Sequence, residues 1–298
     1  MKIGDTEFLI GADPEFFLRD KATGELVSAH GLLPGDKKNP HKVPKGAVQI
    51  DGMAVEFNID PVKTRAAFIK SVKSVLNTID KMLKHKYEFV FESTAHFGKE
   101  LIDAQPEEAK ELGCDPDFNA WTGKENPVPD AEKPFRTGAG HIHIGWTNGQ
   151  SVKSEDHLDV CRHLIRHLDY FCMPMILVDK DSTRRELYGA TGAFRPKPYG
   201  VEYRTPSNFW LQSDETMGFM FDMIVGAIKK LVDGMKSFDL GDNYYHERIA
   251  DTTKLFYKPA GLVLGNHNIY RKQSLLSILR DVSVTLPQGL IDLIDKEA

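Results

Sequence analysis

At 298 residues, with 41% apolar and 27% charged side chains, the chain can bury a large core, which excludes a disordered protein. A formal net charge of −5 gives no support to nucleic acid or an anionic membrane as partner. The longest apolar stretch, Cys172 to Val178, is too short to span a bilayer. The N-terminus lacks the apolar core of a signal peptide, and three scattered cysteines without CxxC spacing suit reduced thiols in a cytoplasm.

No repeat or Gly/Ser linker divides the chain, so a single domain over 1–298 is expected. In chain order, Thr6 to Leu18 reads as a strand, and residues 46–58 as two strands flanking the hairpin signal Asp51-Gly52. Phe68, Val72, Val75, Leu76, Ile79 and Met82 recur at helical spacing over 62–84, with Pro61 just before the start. Tyr87 to Glu92 reads as a strand. Residues 97–135 form a polar excursion of the kind that serves as a lid or binding loop. A strand follows at Gly140 to Trp146, then a helix with apolar spacing from Leu158 to Cys172. A Gly/Pro-rich loop fills 184–210 around a strand at Val201 to Thr205, and helices are expected at 214–236, 272–281 and 288–296. The sum is an α+β fold, a curved and mainly antiparallel sheet with helices on one side.

Four strand-like segments carry charge where a sheet should bury apolar groups. In Gly11-Ala12-Asp13-Pro14-Glu15-Phe16-Phe17-Leu18, Asp13 and Glu15 share one face. Two carboxylates about 7 Å apart along a strand repel each other unless a cation lies between them. Glu56 stands on the second segment, His141 and His143 share a face of the third, and Glu202 and Arg204 share a face of the fourth. Each has an ordinary reading as solvated or ion-paired. Together they suit a hard cation, and carboxylate-rich ligands favour Mg²⁺ or Mn²⁺ over Zn²⁺. Arg184, Arg185, Arg195, Lys197 and Arg204 crowd the loop beside them, and guanidinium forks match phosphate oxygens. Acids that hold metal, with arginines alongside, read as a site for metal–ATP. No Walker A sequence is present, and Gly138-Ala139-Gly140 runs into His-Ile-His without completing GxGxxG.

The segment 11–18 resembles the first catalytic strand of glutamine synthetase. Gly-Ala-Gly-His-Ile-His at 138–143 is similar to its glycine-rich, histidine-bearing segment, and Val-Glu-Tyr-Arg-Thr-Pro-Ser-Asn at 201–208 is similar to its Glu-x-Arg strand. The same order occurs in glutamate–cysteine ligases, and the overall pattern most resembles the phage-encoded carboxylate–amine ligases of type 2 (COOH-NH2 ligases). The resemblance implies the glutamine synthetase catalytic fold, with ATP and two or more Mg²⁺ or Mn²⁺ ions. It also implies an acyl-phosphate route joining a small-molecule or peptide carboxylate to an amine, in the cytoplasm of an infected bacterium if the chain is phage-encoded. Glu15 and Glu56 would hold the metal nearer the carboxylate. Asp13, His141 and Glu202 would hold the metal bridging the ATP phosphates, and Arg204 with Arg195 would neutralise the transferring phosphoryl group. His143 competes with His141 for the ligand role, with His141 favoured. Asp13 stands where glutamine synthetase has Glu, and an obvious second Glu ligand beside Glu56 is missing, Asp51 lying in the turn. An oligomer is compatible with the pattern, although an intersubunit site like that of glutamine synthetase is not expected.

Three other readings suit the same residues: a guanidino-kinase-like phosphotransferase of the same broad fold, a metallohydrolase, and a non-catalytic nucleotide- or metal-binding module. Glu202→Ala should abolish ATP turnover and leave metal-free stability near or above that of the parent, and a large loss would point instead to a structural ion pair with Arg204.

Overall fold

The computed structural model describes residues 1–110, 117–126, 135–178 and 182–238; the helices expected at 272–281 and 288–296 lie outside them. The main elements are β1 (Leu9–Asp20), β2 (Gly46–Asp51), β3 (Ala54–Ile59), α1 (Arg65–Met82), β4 (Tyr87–Val90), β5 (Gly140–Gly145), α2 (Glu155–Val178), β6 (Ala193–Lys197), β7 (Gly200–Tyr203) and α3 (Asp214–Phe238).

A single open antiparallel sheet organises them. Its order runs from the short strand Phe118–Asn119 through β6, β7, β5, β1, β3 and β2 to His41–Val43. The long β1 is the spine. Its first half pairs β5, Glu15 and Phe16 pair β3, and its far end pairs β4 on one edge and Leu26–Val27 on the other. Alternation along β1 decides the two faces: Ile10, Ala12, Phe16 and Leu18 enter the core, while Asp13 and Glu15 point away from it. The helices α1, α2 and α3 cover the core face, contributing Phe68, Val72, Leu164, Leu168, Met220 and Ile224. On the opposite face a second cluster of Phe17, Met53, Val90, Phe97 and Ile102 closes the far end of the sheet and leaves the middle free for polar groups.

Most expected elements appear, with local differences. Val62 exchanges backbone hydrogen bonds with Ile10 at 2.8 and 2.9 Å, so it bridges to β1 and stays outside the helix. The helix then starts at Arg65, where the Thr64 hydroxyl caps Ala67 N at 3.3 Å. Thr6–Glu7 separates from β1 and forms a small hairpin with Lys2–Ile3. The Gly/Pro-rich loop contains β6, which puts Arg195 and Lys197 on a strand next to Glu202. The described parts of the polar excursion are docked: Phe118–Asn119 extends the sheet at β6, and Phe135–Thr137 pairs Thr94–His96. Among the described residues, no helix is long and apolar enough to cross a membrane.

Candidate active site

Register brings the four charged segments together. Across β1 and β5, Asp13 pairs His141; across β1 and β3, Glu15 pairs Glu56; across β5 and β7, His143 pairs Glu202; and across β6 and β7, Arg195 pairs Glu202. Two groups result in which each residue offers a ligand atom within 4.8 Å of the others, Asp13–His143–Glu202 and Glu15–Asp51–Glu56. The second completes a set that Glu15 and Glu56 alone left short. Asp51 is the last residue of β2, two positions from Gln49, which itself pairs Glu56 across the hairpin. That two-residue spacing is the signal in the sequence that would have found it.

Both histidines face the first group. His143 Nε2 lies 2.8 Å from Asp13 Oδ1, and its Nδ1 meets the Tyr199 hydroxyl. His141 Nδ1 lies 3.6 Å from Asp13 Oδ1 and 3.5 Å from Glu202 Oε1. Burial first, and then Arg204, keep His141 well below the usual histidine range, so its imidazole is neutral and has a lone pair to give. For His143, burial is outweighed by Asp13, which raises it. Asp13 Oδ1 and His143 Nε2 are buried and close on each other alone, so a cation entering this group would take the place of that contact.

The two groups differ in electrostatics. Burial works against the charge of Glu202, yet Arg204 above all, with His143 and Lys197, holds its carboxyl well below the usual carboxylate range. Arg204 Nη1 donates to Glu202 Oε1, Lys197 Nζ lies 2.7 Å from Oε2, and Arg195 Nη1 lies 3.6 Å from the same oxygen. Arg204 Nε also donates to Asp117 Oδ2 at 3.1 Å. Glu15, in contrast, is raised to about 7 by burial and then by Asp51, although Ala139 N donates to its Oε2 at 3.1 Å. Glu56 is raised well above its ordinary value by burial, then by Asp13, Asp51 and Glu15, against the help of Gln49 Nε2 at 2.7 Å. Glu15 and Glu56, both raised by burial and by neighbouring carboxylates, are short of positive charge, and a divalent cation supplies it. The all-oxygen donor set fits Mg²⁺ or Mn²⁺, and the mixed set with one imidazole fits the same ions.

Two cavities meet at these groups and share Asp13, Gln49 and Glu56. One, of about 890 Å³, is walled by Trp146, Tyr199, Pro61 and Ile59 over Gly11 and Gly145. The other, of about 300 Å³, carries Arg195, Lys197, Arg204, Arg136, Lys37 and Tyr188. Of the expected cofactor-binding residues, Arg195, Lys197 and Arg204 line it. Arg184 does not: it is 1% exposed and donates to the carbonyls of Thr205 at 2.8 Å and Arg204 at 3.1 Å, so it secures the β7 exit and is no phosphate ligand. Arg185 lines neither cavity. Lys37, on the lysine-bearing loop 30–46 that the sequence marks as a candidate for shaping specificity, reaches the smaller cavity. Asp117, Arg136, Tyr188 and Tyr199 join the site from segments whose sequence reveals nothing about where they return to the sheet.

Residues 123–251 match the family model of the phage phiEco32-like COOH.NH2 ligase-type 2 proteins. This is the family that the motifs pointed to, and the match supports it. The matched stretch contains β5, β6 and β7, and with them His141, His143, Arg195, Lys197, Glu202 and Arg204. No curated protein matches the chain.

Proposed function

We propose that the protein is an ATP- and Mg²⁺-dependent ligase that joins a carboxylate to an amine through an acyl phosphate. The observation that carries this reading is the meeting of two cation-seeking groups, one ringed by Arg195, Lys197 and Arg204, at the junction of two cavities. Glu15, Asp51 and Glu56 would hold one ion, and Asp13, Glu202 and a histidine of β5 the other. When bound, the ions supply the positive charge that phosphoryl transfer requires. The larger, aromatic-walled cavity has the volume for a nucleoside triphosphate, and the smaller, charged one for the carboxylate.

In the first step a carboxylate oxygen attacks the γ-phosphorus, and the bond to the bridging oxygen breaks to leave ADP. An amine nitrogen then attacks the acyl carbon, phosphate departs with the C–O electron pair, and the amine loses a proton to solvent. Arg195 and Lys197, on the strand beside Glu202, neutralise charge on the transferring group. Arg204, pinned by Glu202 and Asp117, holds its guanidinium fixed with no reorganisation during the reaction.

The test is ADP release by the purified protein with Mg²⁺ and ATP over pooled carboxylic acids, with and without hydroxylamine, a small nucleophile that traps acyl phosphates. Hydroxamate that forms with one acid pool, and falls by at least about 100-fold in Glu56→Gln, is expected. ADP release without hydroxamate in any pool would favour a phosphotransferase or ATPase. Absence of Mg²⁺-dependent ATP binding would sink the ligase reading.

A further inference from the structure

Lys37 reaches into the acidic group from outside the sheet. Its Nζ lies 2.8 Å from Asp51 Oδ1, and both residues line the smaller cavity with Glu15, Glu56 and Arg136. The Lys37 side chain is 41% exposed, that of Asp51 18%. The loop backbone beneath it is fixed: Asp36 Oδ1 accepts from Lys38 N at 2.7 Å and Asn39 N at 2.9 Å, and Ile50 N donates to Gly35 O at 3.2 Å. A flexible ammonium therefore stands on a rigid stem beside three mutually repelling carboxylates.

We propose that Lys37 is the resident counter-charge of the Glu15–Asp51–Glu56 group, and that a divalent ion loads by displacing it from Asp51 into the cavity. The inference rests on the metal reading of the site given above. An ion that takes an oxygen from each acid must claim the Asp51 carboxylate that Lys37 holds, so ammonium and metal compete for one group. An ion pair this exposed is weak, which makes the exchange inexpensive. By linkage, whatever Lys37 contributes to the empty group is subtracted from the affinity for metal.

Mn²⁺ binding to the full chain, followed by the electron paramagnetic resonance signal of free Mn²⁺, tests this. Lys37→Met should bind one Mn²⁺ about two- to fivefold more tightly than the parent, and Lys37→Arg should bind as the parent does. In an Asp51→Asn background Lys37→Met should bring no gain. Equal or weaker Mn²⁺ affinity in Lys37→Met overturns the displacement and leaves the metal site standing. Failure of the parent to bind Mn²⁺ at all overturns both.

Discussion

Glu202 is where the sequence and the structure part most clearly at the scale of a single residue. Read from the sequence, it is a metal ligand whose loss would spare metal-free stability. In the structure it is 1% exposed and faces Arg204, Lys197 and Arg195, with His141 alongside. Truncation would leave three cations around an empty, buried position. Removing one partner of such an arrangement typically costs about 3–5 kcal/mol, because the remaining charges lose their compensation and cannot regain water. Glu202→Ala is therefore expected to lower the urea midpoint of the metal-free protein markedly as well as to abolish turnover. An unchanged midpoint would mean that the guanidinium and ammonium groups relax into solvent. The sequence showed that Glu202 and Arg204 share a face, which is a local fact. It could not show that Lys197 and Arg195 join them, because that depends on the pairing of β6 with β7.

At the scale of elements, charged residues at two-residue spacing on short strands were legible because a strand's period is fixed by its backbone, and the structure keeps Asp13/Glu15, His141/His143 and Glu202/Arg204 each on the site side. The hairpin at Asp51-Gly52 was legible for the same reason, with Gly52 at φ 58° in its turn. Less legible was the purpose of the glycines before His141. Gly140 N donates to Pro206 O at 2.9 Å and Trp210 Nε1 donates to Gly140 O at 3.0 Å, so the start of β5 lies flat against the Ser207–Trp210 turn. A Cβ there would run into the Ser207 carbonyl and stand 2.5 Å from Trp210 Nε1. At Gly11, on the site face of β1, the nearest atoms to an added Cβ are 3.5 to 4.0 Å away. Gly140→Ala should thus cost about 1–3 kcal/mol through overpacking and displace the histidines, whereas Gly11→Ala should fold as the parent does. Thermal melts of the two variants, with Mn²⁺ titrated into each, separate these expectations. Similar melting temperatures for both would show that the turn gives way easily.

The charge distribution of the whole molecule turns the acid groups into a dependence of stability on pH. Glu15, against an ordinary value of 4.5, is raised to about 7 in the fold, and Glu56 is raised well above the same value. Asp169 moves the same way, to about 7, by burial behind the sheet, where it accepts hydrogen bonds from Trp121, Tyr203 and Thr205. Between about pH 4.5 and 7 the folded chain binds more protons at these acids than the unfolded chain does. Their contribution is complete below the unfolded value and is lost as pH rises through the folded one. Glu202 works in the opposite sense, contributing above its ordinary value and failing only as acid titrates it. The three raised acids should therefore make the metal-free protein melt at lower temperature as pH rises from about 4.5 to 7. His141, held below its ordinary value of 6.5, opposes part of that decline, because only the unfolded chain takes up its proton there. Excess Mg²⁺ should remove most of that decline, because the ion binds the folded chain alone and compensates the ionised acids. Glu15→Gln should flatten part of the metal-free decline and weaken the Mg²⁺ effect, while the Asp169 share persists. A melting temperature that is flat across this window without metal, or indifferent to Mg²⁺ at its upper end, would mean that the acid groups are solvated and their mutual repulsion is already screened.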